Sequence, residues 1–414
     1  MKKINGIYSF SRYNIVLNDI VFNAKSQASI QLNERYLSSF TTQNLSAFSD
    51  YEIEELFKMG FLIKAGYNEI LDVKMKLAKY LRKVFSLIIL PTYACNFRCK
   101  YCYEKKNKVF LPEKYYSPIY RIIKEKLDKG AKTIRIFWFG GEPLICLNQI
   151  IIFLANLKKI CKEYGAKIES LITTNFSLAN AENFSNLVKA GCRIFQVTLD
   201  GDMNHHNFYR PFSNGKGSYD VILSNLLKAK QTKLRFKINI RLNFNDKSDY
   251  SSHFKEMKRL FQNDKRFVFS VSPICSWGGE SSLYACDSKT SESRGIELNK
   301  MIVENGLTPD LKSDPFSFLS FCSLLMPNSL LIKPDGSVGK CSVHLNNPHN
   351  SFKTIFDKTK IDDSWWTKTN FDNCDKCALY PICLGKSCKF EGHQTQEECF
   401  EFKKRKLAKE HFDL

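Results

Sequence analysis

Six short runs of β-branched and aromatic residues, each followed by a stretch with helical spacing, leave the middle of this chain few folds to choose from. The runs are VFSLIIL (84–90), TIRIFWF (133–139), IESLITT (168–174), RIFQVTL (193–199), RFKINIR (235–241) and FVFSVS (267–272), and their length and composition read as buried strands. Between them, PEKYYSPIYRIIKEKLDKG, NQIIIFLANLKKICKEYG and SYDVILSNLLKAKQ carry apolar residues three and four apart, the spacing of one helix face. Consecutive strand–helix units of this kind predict an α/β fold with a parallel sheet and right-handed crossovers. The sheet is either open and doubly wound or curved into a partial barrel, over residues 84–275.

In such folds the loops leaving the C-terminal strand ends converge on one face, where ligands bind. That rule gathers the unusual residues. PTYACNFRCKYCYEKK (91–106) leaves the first strand with Cys95, Cys99 and Cys102; Gly140, Gly141, Glu142 and Pro143 leave the second. Thr173, Thr174 and Asn175 end the third, Leu199, Asp200 and Gly201 leave the fourth, and Arg241 to Asn243 end the fifth. Zinc fingers pair two close ligands with two more after an interval, whereas this is one compact triplet. Iron–sulfur clusters take thiolates from such runs but usually four of them, so three on a four-iron cube leave one iron open.

The spacing C-x3-C-x2-C with aromatic Tyr101 before its last cysteine resembles the signature of radical S-adenosylmethionine enzymes. The resemblance implies a (β/α)6 partial TIM barrel and a [4Fe-4S] cluster on Cys95, Cys99 and Cys102. It also implies S-adenosyl-L-methionine on the open iron, cleaved to a 5′-deoxyadenosyl radical with electrons from an external flavodoxin- or ferredoxin-type donor. GGEP (Gly140, Gly141, Glu142, Pro143) resembles the motif that contacts the methionine amino group, with Glu142 as acceptor. Thr174 and Asn175 match a polar strand end beside the ribose and methionine, although Phe176 stands where many relatives have glycine. LDGDMNHHNFYR resembles an element of the peptide-modifying branch, with Asp200, His206 and Arg210 in register. For Asp200 and His206 a capped turn is an equal reading, and Arg241 is either a partner of the methionine carboxylate or a surface ion pair. Phe137, Trp138 and Phe139 are expected to pack under the site.

Fifteen cysteines in a long chain without an apolar N-terminal run point to metal ligation in a reducing cytoplasm rather than to disulfides. Cys146, Cys161 and Cys192 fall among apolar residues and read as core. Seven follow residue 320, and Cys322, Cys341, Cys374, Cys377, Cys383, Cys388 and Cys399 in this order resemble the SPASM extension, which carries auxiliary four-iron clusters. By that resemblance Cys374, Cys377, Cys383 and Cys399 hold one cluster, and Cys322, Cys341 and Cys388 the other. Phe316 occupies the place of an eighth cysteine, leaving the fourth ligand of the inner cluster to Cys275, Cys286, a substrate thiol or none. In relatives that oxidise a sulfatase cysteine or serine, an aspartate follows the cysteine matching Cys341; here Ser342 follows it, which favours a maturase forming thioether or carbon–carbon crosslinks.

The expected division is an N-terminal α+β unit (1–80), the core (84–275), a polar connector (276–315) and a cysteine-rich domain (316–414). In the first unit DYEIEELFKMGFLIK suggests a helix running into a strand, as in winged-helix modules that hold a precursor peptide at a sheet edge. A formal charge of +20 suits an acidic leader, or nucleic acid, but the charges are spread rather than clustered and no RNA-binding motif is visible. No run reads as a membrane span.

Overall fold

The computed structural model describes residues 7–245, 248–277, 283–287, 290–310, 328–345, 347, 350, 353–357, 371–383, 385 and 395–412. They divide into two units, one built from residues 1–81, 312–327 and 363–414, the other from 82–311 and 328–362.

The first unit begins with β1 (Tyr8–Phe10), β2 (Asn14–Leu17), β3 (Ile20–Asn23) and β4 (Ser29–Gln31). Helices α1 (Glu34–Thr42) and α2 (Asp50–Met59), strand β5 (Leu62–Lys64) and helix α3 (Glu69–Lys83) follow. β2, β3 and β4 form an antiparallel sheet, and β5 returns to pair with β1. The helix-then-strand reading of DYEIEELFKMGFLIK corresponds to α2 and β5. A reciprocal capping box between Ser49 and Glu52 starts α2, and Gly60, at φ +88°, stops it in the left-handed conformation that glycine adopts without penalty. Phe10, Phe40, Ile53, Leu56 and Phe61 fill one core here. A second core joins Tyr13, Ile15, Phe22 and Val73 to Cys374, Leu379, Tyr380 and Leu407.

The second unit is the strand–helix alternation. Its strands are β6 (Val84–Ile89), β7 (Thr133–Trp138), β8 (Lys167–Thr174), β9 (Cys192–Thr198), β10 (Lys237–Phe244) and β11 (Phe267–Pro273). The intervening helices are α4 (Tyr116–Asp128), α5 (Leu147–Glu163), α6 (Ala181–Ala190), α7 (Met203–Tyr209), α8 (Tyr219–Gln231) and α9 (Ser251–Phe261). All six strands are parallel and lie in chain order. A sheet wound without reversal keeps its crossover helices on one face and curls around the other, which decides for the partial barrel against the doubly wound sheet.

Two departures from the expected division follow from burial. Helix α10 (Ser291–Glu304) lies inside the span read as a connector, because Leu298 and Ile302, four residues apart, are buried in the main core. Residues 328–357 do not stay with the later cysteines: β12 (Ser329–Ile332) adds to the sheet parallel to β6, and β13 (Ser337–Gly339) and β14 (Lys353–Thr354) continue it antiparallel. The cysteine segment further on supplies α11 (Tyr380–Cys383) and α12 (Gln396–Phe412) to the first unit. Residues 143–163 are long and apolar enough, by length and composition, to cross a bilayer; their Ile150, Phe153, Leu154 and Leu157 are buried in the core of the second unit.

Candidate active site

The loop after β6 carries the triplet and is held on three sides. Its ends are drawn together where the Tyr93 amide donates to Val109 O at 3.1 Å and the Leu111 amide to Pro91 O at 2.8 Å. Its middle is laced to the segment after α7, the Arg98 amide donating to Pro211 O and the Lys100 amide to Tyr209 O, each at 2.9 Å. Phe97 is the anchor: fully buried, it meets the Phe212 ring edge-on at 4.8 Å. Third, Asn175 at the end of β8 donates its side-chain amide to Asn96 Oδ1 at 2.8 Å.

The two glycines of GGEP lie directly against this loop. A Cβ on Gly140 would stand 2.6 Å from Thr92 O and one on Gly141 2.2 Å from Ala94 O, so only glycine allows the approach. The Glu142 amide then donates to Ala94 O at 2.8 Å. The Glu142 side chain departs from its expected place. It is fully buried behind the loop, where Oε1 accepts from the Leu144 amide (2.9 Å) and the Thr174 hydroxyl (2.7 Å), and Oε2 from the Asn175 amide (2.7 Å). It clamps the second loop to the end of β8 and presents no open face to a ligand. Pro143 is likewise buried, opening the turn before α5.

Cys95, Cys99, Cys102, Gly140, Gly141, Thr173, Thr174, Asn175, Arg241 and Asn243 all line one cavity of about 380 Å³ at the C-terminal strand ends. Gln196 and Thr198 on β9 line it too, as do Ser272 and Cys275 at and beyond the end of β11. In both β9 and β10 the lining residues are two apart, the period of one strand face. A polar Gln and Thr interrupting RIFQVTL, and an Asn two places after Arg241, were the available signals for Gln196, Thr198 and Asn243.

Asp200 is a second departure. Its Oδ2 accepts from the Tyr101 hydroxyl and its Oδ1 from the Asn243 amide at 2.7 Å, so the carboxylate stands behind the wall, fully buried. Burial pushes its carboxyl up, against the pull of the Arg210 guanidinium. Tyr101 is thereby fixed from three directions, also accepting from Arg210 Nη1 at 2.6 Å and from Asn243 Nδ2 at 3.0 Å. His206 takes the turn role: buried, its Nδ1 accepts from the Asp200 amide at 3.0 Å, and its Nε2 meets the Ser218 hydroxyl at 3.1 Å. Of the aromatic run after Ile136, Phe139 lines the cavity, whereas Trp138 points to the helices, stacking edge-on to Phe153 at 5.3 Å and donating to Ser170 Oγ at 3.1 Å.

The donor set fits the groups that the triplet implies. Arg241 donates through Nη2 to Ser272 Oγ at 2.6 Å, yet its buried Nε has no partner, a geometry that leaves one edge of the fork for an anionic ligand. Burial pushes the Cys95 thiol up to about 12, with Glu142 adding to it, and raises Cys102 as well. Such thiols are inert as nucleophiles at neutral pH and become thiolates on binding a metal. Glu104, which no sequence pattern singled out, lines the cavity with a buried Oε2 that lacks a hydrogen-bond partner; burial pushes its carboxyl up to about 7. Ser342 and Val343, after Cys341, form part of the same wall, and Trp277 meets the His344 ring edge-on at 5.6 Å.

Cys374, Cys377, Cys383 and Cys399 share a separate narrow cavity in the first unit. Among the described residues no three His, Cys, Asp or Glu side chains converge on a single-ion site, and the described cysteines form no disulfide. Cys146, Cys161 and Cys192 are buried, as their apolar neighbours indicate. Cys341 lies beside the main cavity's wall, while Phe316, Cys322 and Cys388 lie outside the described residues.

Residues 89–246 match the family model described as the radical SAM superfamily. The cysteine-type anaerobic sulfatase-maturating enzyme of Clostridium novyi is 23% identical over 329 residues, covering 73% of this chain and 87% of that protein. Two solved structures share the fold. Native anSMEcpe with bound AdoMet and Cp18Cys peptide has a TM-score of 0.55 at 16% identity, covering 79% of this chain and 98% of its own. SuiB of Streptococcus suis bound to precursor peptide SuiA has a TM-score of 0.52 at 18% identity, covering 91% of this chain and 94% of its own.

Proposed function

Because this chain is a radical SAM enzyme with its superfamily domain at residues 89–246, we propose that it installs a thioether or carbon–carbon crosslink in a ribosomally made peptide or protein. Cys95, Cys99 and Cys102 would hold a four-iron cluster, which would supply the electron for reductive cleavage of S-adenosylmethionine and with it the radical chemistry that begins at a substrate C–H bond.

The chain's own residues bind, orient and exclude water. Gly140 and Gly141 bring a stretch of unencumbered backbone to the cavity, and Thr173, Thr174 and Asn175 add hydroxyl and amide groups. Arg241 offers its unused Nε to a carboxylate. Phe97, Phe139 and Trp277 give the cavity apolar walls that keep water from a reactive intermediate. Glu104 offers a carboxylate oxygen to an N–H of the incoming substrate.

The observation that carries the proposal is the single cavity shared by the three thiols, the open edge of Arg241 and the Ser342–Val343 wall. The position after Cys341 presents a serine, which cannot serve as the carboxylate base of a sulfatase-type oxidation. Likeness to the Clostridium novyi enzyme supports that oxidation as the second reading. The small N-terminal sheet supports a leader-binding role. β4 pairs on one side with β3, no strand among the described residues pairs with its other side, and Ser29 and Gln31 are exposed. An extended acidic leader could add there as a further strand. Cys374, Cys377, Cys383 and Cys399, and Cys341 with its partners, would hold the auxiliary clusters that take up the second electron of crosslinking.

The test is anaerobic co-expression with short open reading frames beside the gene that encode an acidic leader and cysteine or aromatic repeats, followed by mass spectrometry. A peptide lighter by two hydrogen atoms per crosslink supports the proposal. An unchanged peptide together with formylglycine in a sulfatase-derived peptide transfers the chain to the second reading.

A further inference from the structure

Around the four thiols of the first unit the chain has built a charged as well as an apolar enclosure. Cys374 opens a tight turn that leads to Cys377, whose amide donates to Cys374 O at 3.1 Å; α11 ends on Cys383, and α12 carries Cys399 in its first turn. Phe371, Leu379 and Phe400 close the cavity around the sulfurs. One turn beyond Cys399, on the same face of α12, stands Lys403, which lines the cavity with all four cysteines. A lysine side chain ends in a positive charge, so this otherwise apolar cavity has one cationic wall. The aspartate between the first two cysteines does not offset it, since Asp375 is met by a lysine of its own, Lys74, at 2.9 Å.

We infer that Lys403 raises the reduction potential of the auxiliary cluster held by Cys374, Cys377, Cys383 and Cys399, making that cluster an acceptor of electrons. The inference rests on the reading that these four cysteines ligate a cluster. Each electron added makes the cluster and its thiolates one charge more negative. A cation in the wall of that cavity, among apolar side chains, stabilises the reduced state more than the oxidised one. The demand for such an acceptor follows from the chemistry of crosslinking. Joining a C–H carbon to a thiol sulfur forms one S–C bond and removes two hydrogen atoms. One leaves as the atom taken by the deoxyadenosyl radical; the other leaves as a proton to solvent and an electron that needs a sink.

The experiment is a redox titration of the reconstituted holoenzyme followed by electron paramagnetic resonance, with iron and labile sulfide counted in every sample. The signal component absent from C377A belongs to this cluster. In K403M and K403Q that component is expected at a more negative midpoint potential, with K403R close to the native value. Two outcomes overturn the inference while leaving the cluster in place: an unshifted midpoint in both neutral variants, or the same shift in K403R as in K403M. If C377A removes neither iron nor any signal component, the ligand reading itself fails and the inference falls with it.

Discussion

Arg241 and Phe176 show how single side chains settle what the site can hold. Arg241 is half-buried, its Nη2 bonded to Ser272 and its buried Nε without a partner, and desolvation lowers its hold on its proton. A carboxylate from a bound ligand would complete the fork. A charge-assisted hydrogen bond is worth about 1.5–3 kcal/mol, so R241A is expected to weaken S-adenosylmethionine binding roughly tenfold or more. Equilibrium dialysis with the cluster-loaded protein checks this, and unchanged affinity would place the carboxylate elsewhere. Phe176 sits at φ +63°, a conformation that glycine adopts freely, yet its fully buried ring packs against Phe184 and Phe195 at 5.8 and 6.0 Å. Relief of left-handed strain is worth about 1–2 kcal/mol, whereas deleting a buried Phe ring costs about 3–5. F176G is therefore expected to destabilise the protein by about 2–3 kcal/mol in denaturant titration; a stabilised variant would mean that the strain outweighs the ring.

At the level of elements, the loops after β6 and β7 act as one piece because Gly141 lets their backbones touch. G141A would drive a Cβ to 2.2 Å from Ala94 O and is expected to cost the triplet most of its iron on reconstitution, measured as iron bound per chain beside C95A/C99A/C102A. Near-native iron would show that the cysteine loop can yield. The turn between β9 and α7 carries a pH dependence. His253, bonded to Gly201 O at 3.0 Å, is held to about 4 by burial, with Asp202 favouring and His205 opposing its charge. The unfolded chain, whose histidine titrates near its ordinary 6.5, takes up the proton first as pH falls. The stability at stake is present in full above pH 6.5 and lost as pH drops toward 4, about 3 kcal/mol for such a shift. H253Q is expected to flatten this part of the stability profile; a slope equal to the native one would assign it to other groups. Elements were also where the sequence was most legible. All six strands announced themselves through β-branched and aromatic residues, because one face of each packs into the core even where, as in β7 and β10, every second residue is only half-buried. Helix α10 was hidden because only Leu298 and Ile302 needed to be apolar within a serine-rich stretch. Glu142 and Asp200 were found as residues, but their orientation depends on which backbone amides fold back onto them, and no one-dimensional spacing encodes that. Lys403 and Glu104 carry no sequence signal of their own, since the cavities that they line exist only once the chain is packed.

For the molecule as a whole, the two units divide the chemistry: one carries the triplet at the mouth of a partial barrel, the other the four-thiol cavity of the later cysteines. Replacing Cys374 and Cys377 with alanine is expected to leave S-adenosylmethionine cleavage measurable while abolishing the finished product, because the proposed function assigns the radical to one unit and the electron sink to the other. Quantifying deoxyadenosine and modified peptide in the same reaction separates the two losses; parallel loss of both would mean that the later cysteines serve the triplet itself. The first measurement is the production of 5′-deoxyadenosine by the anaerobically reconstituted protein given S-adenosylmethionine and a strong reductant, beside the C95A/C99A/C102A variant. Deoxyadenosine from the native protein and none from the variant is the expected result. Iron retained by the native protein without any deoxyadenosine would mean that the triplet binds a cluster that does not open the sulfonium, and the enzyme described here would be a carrier instead.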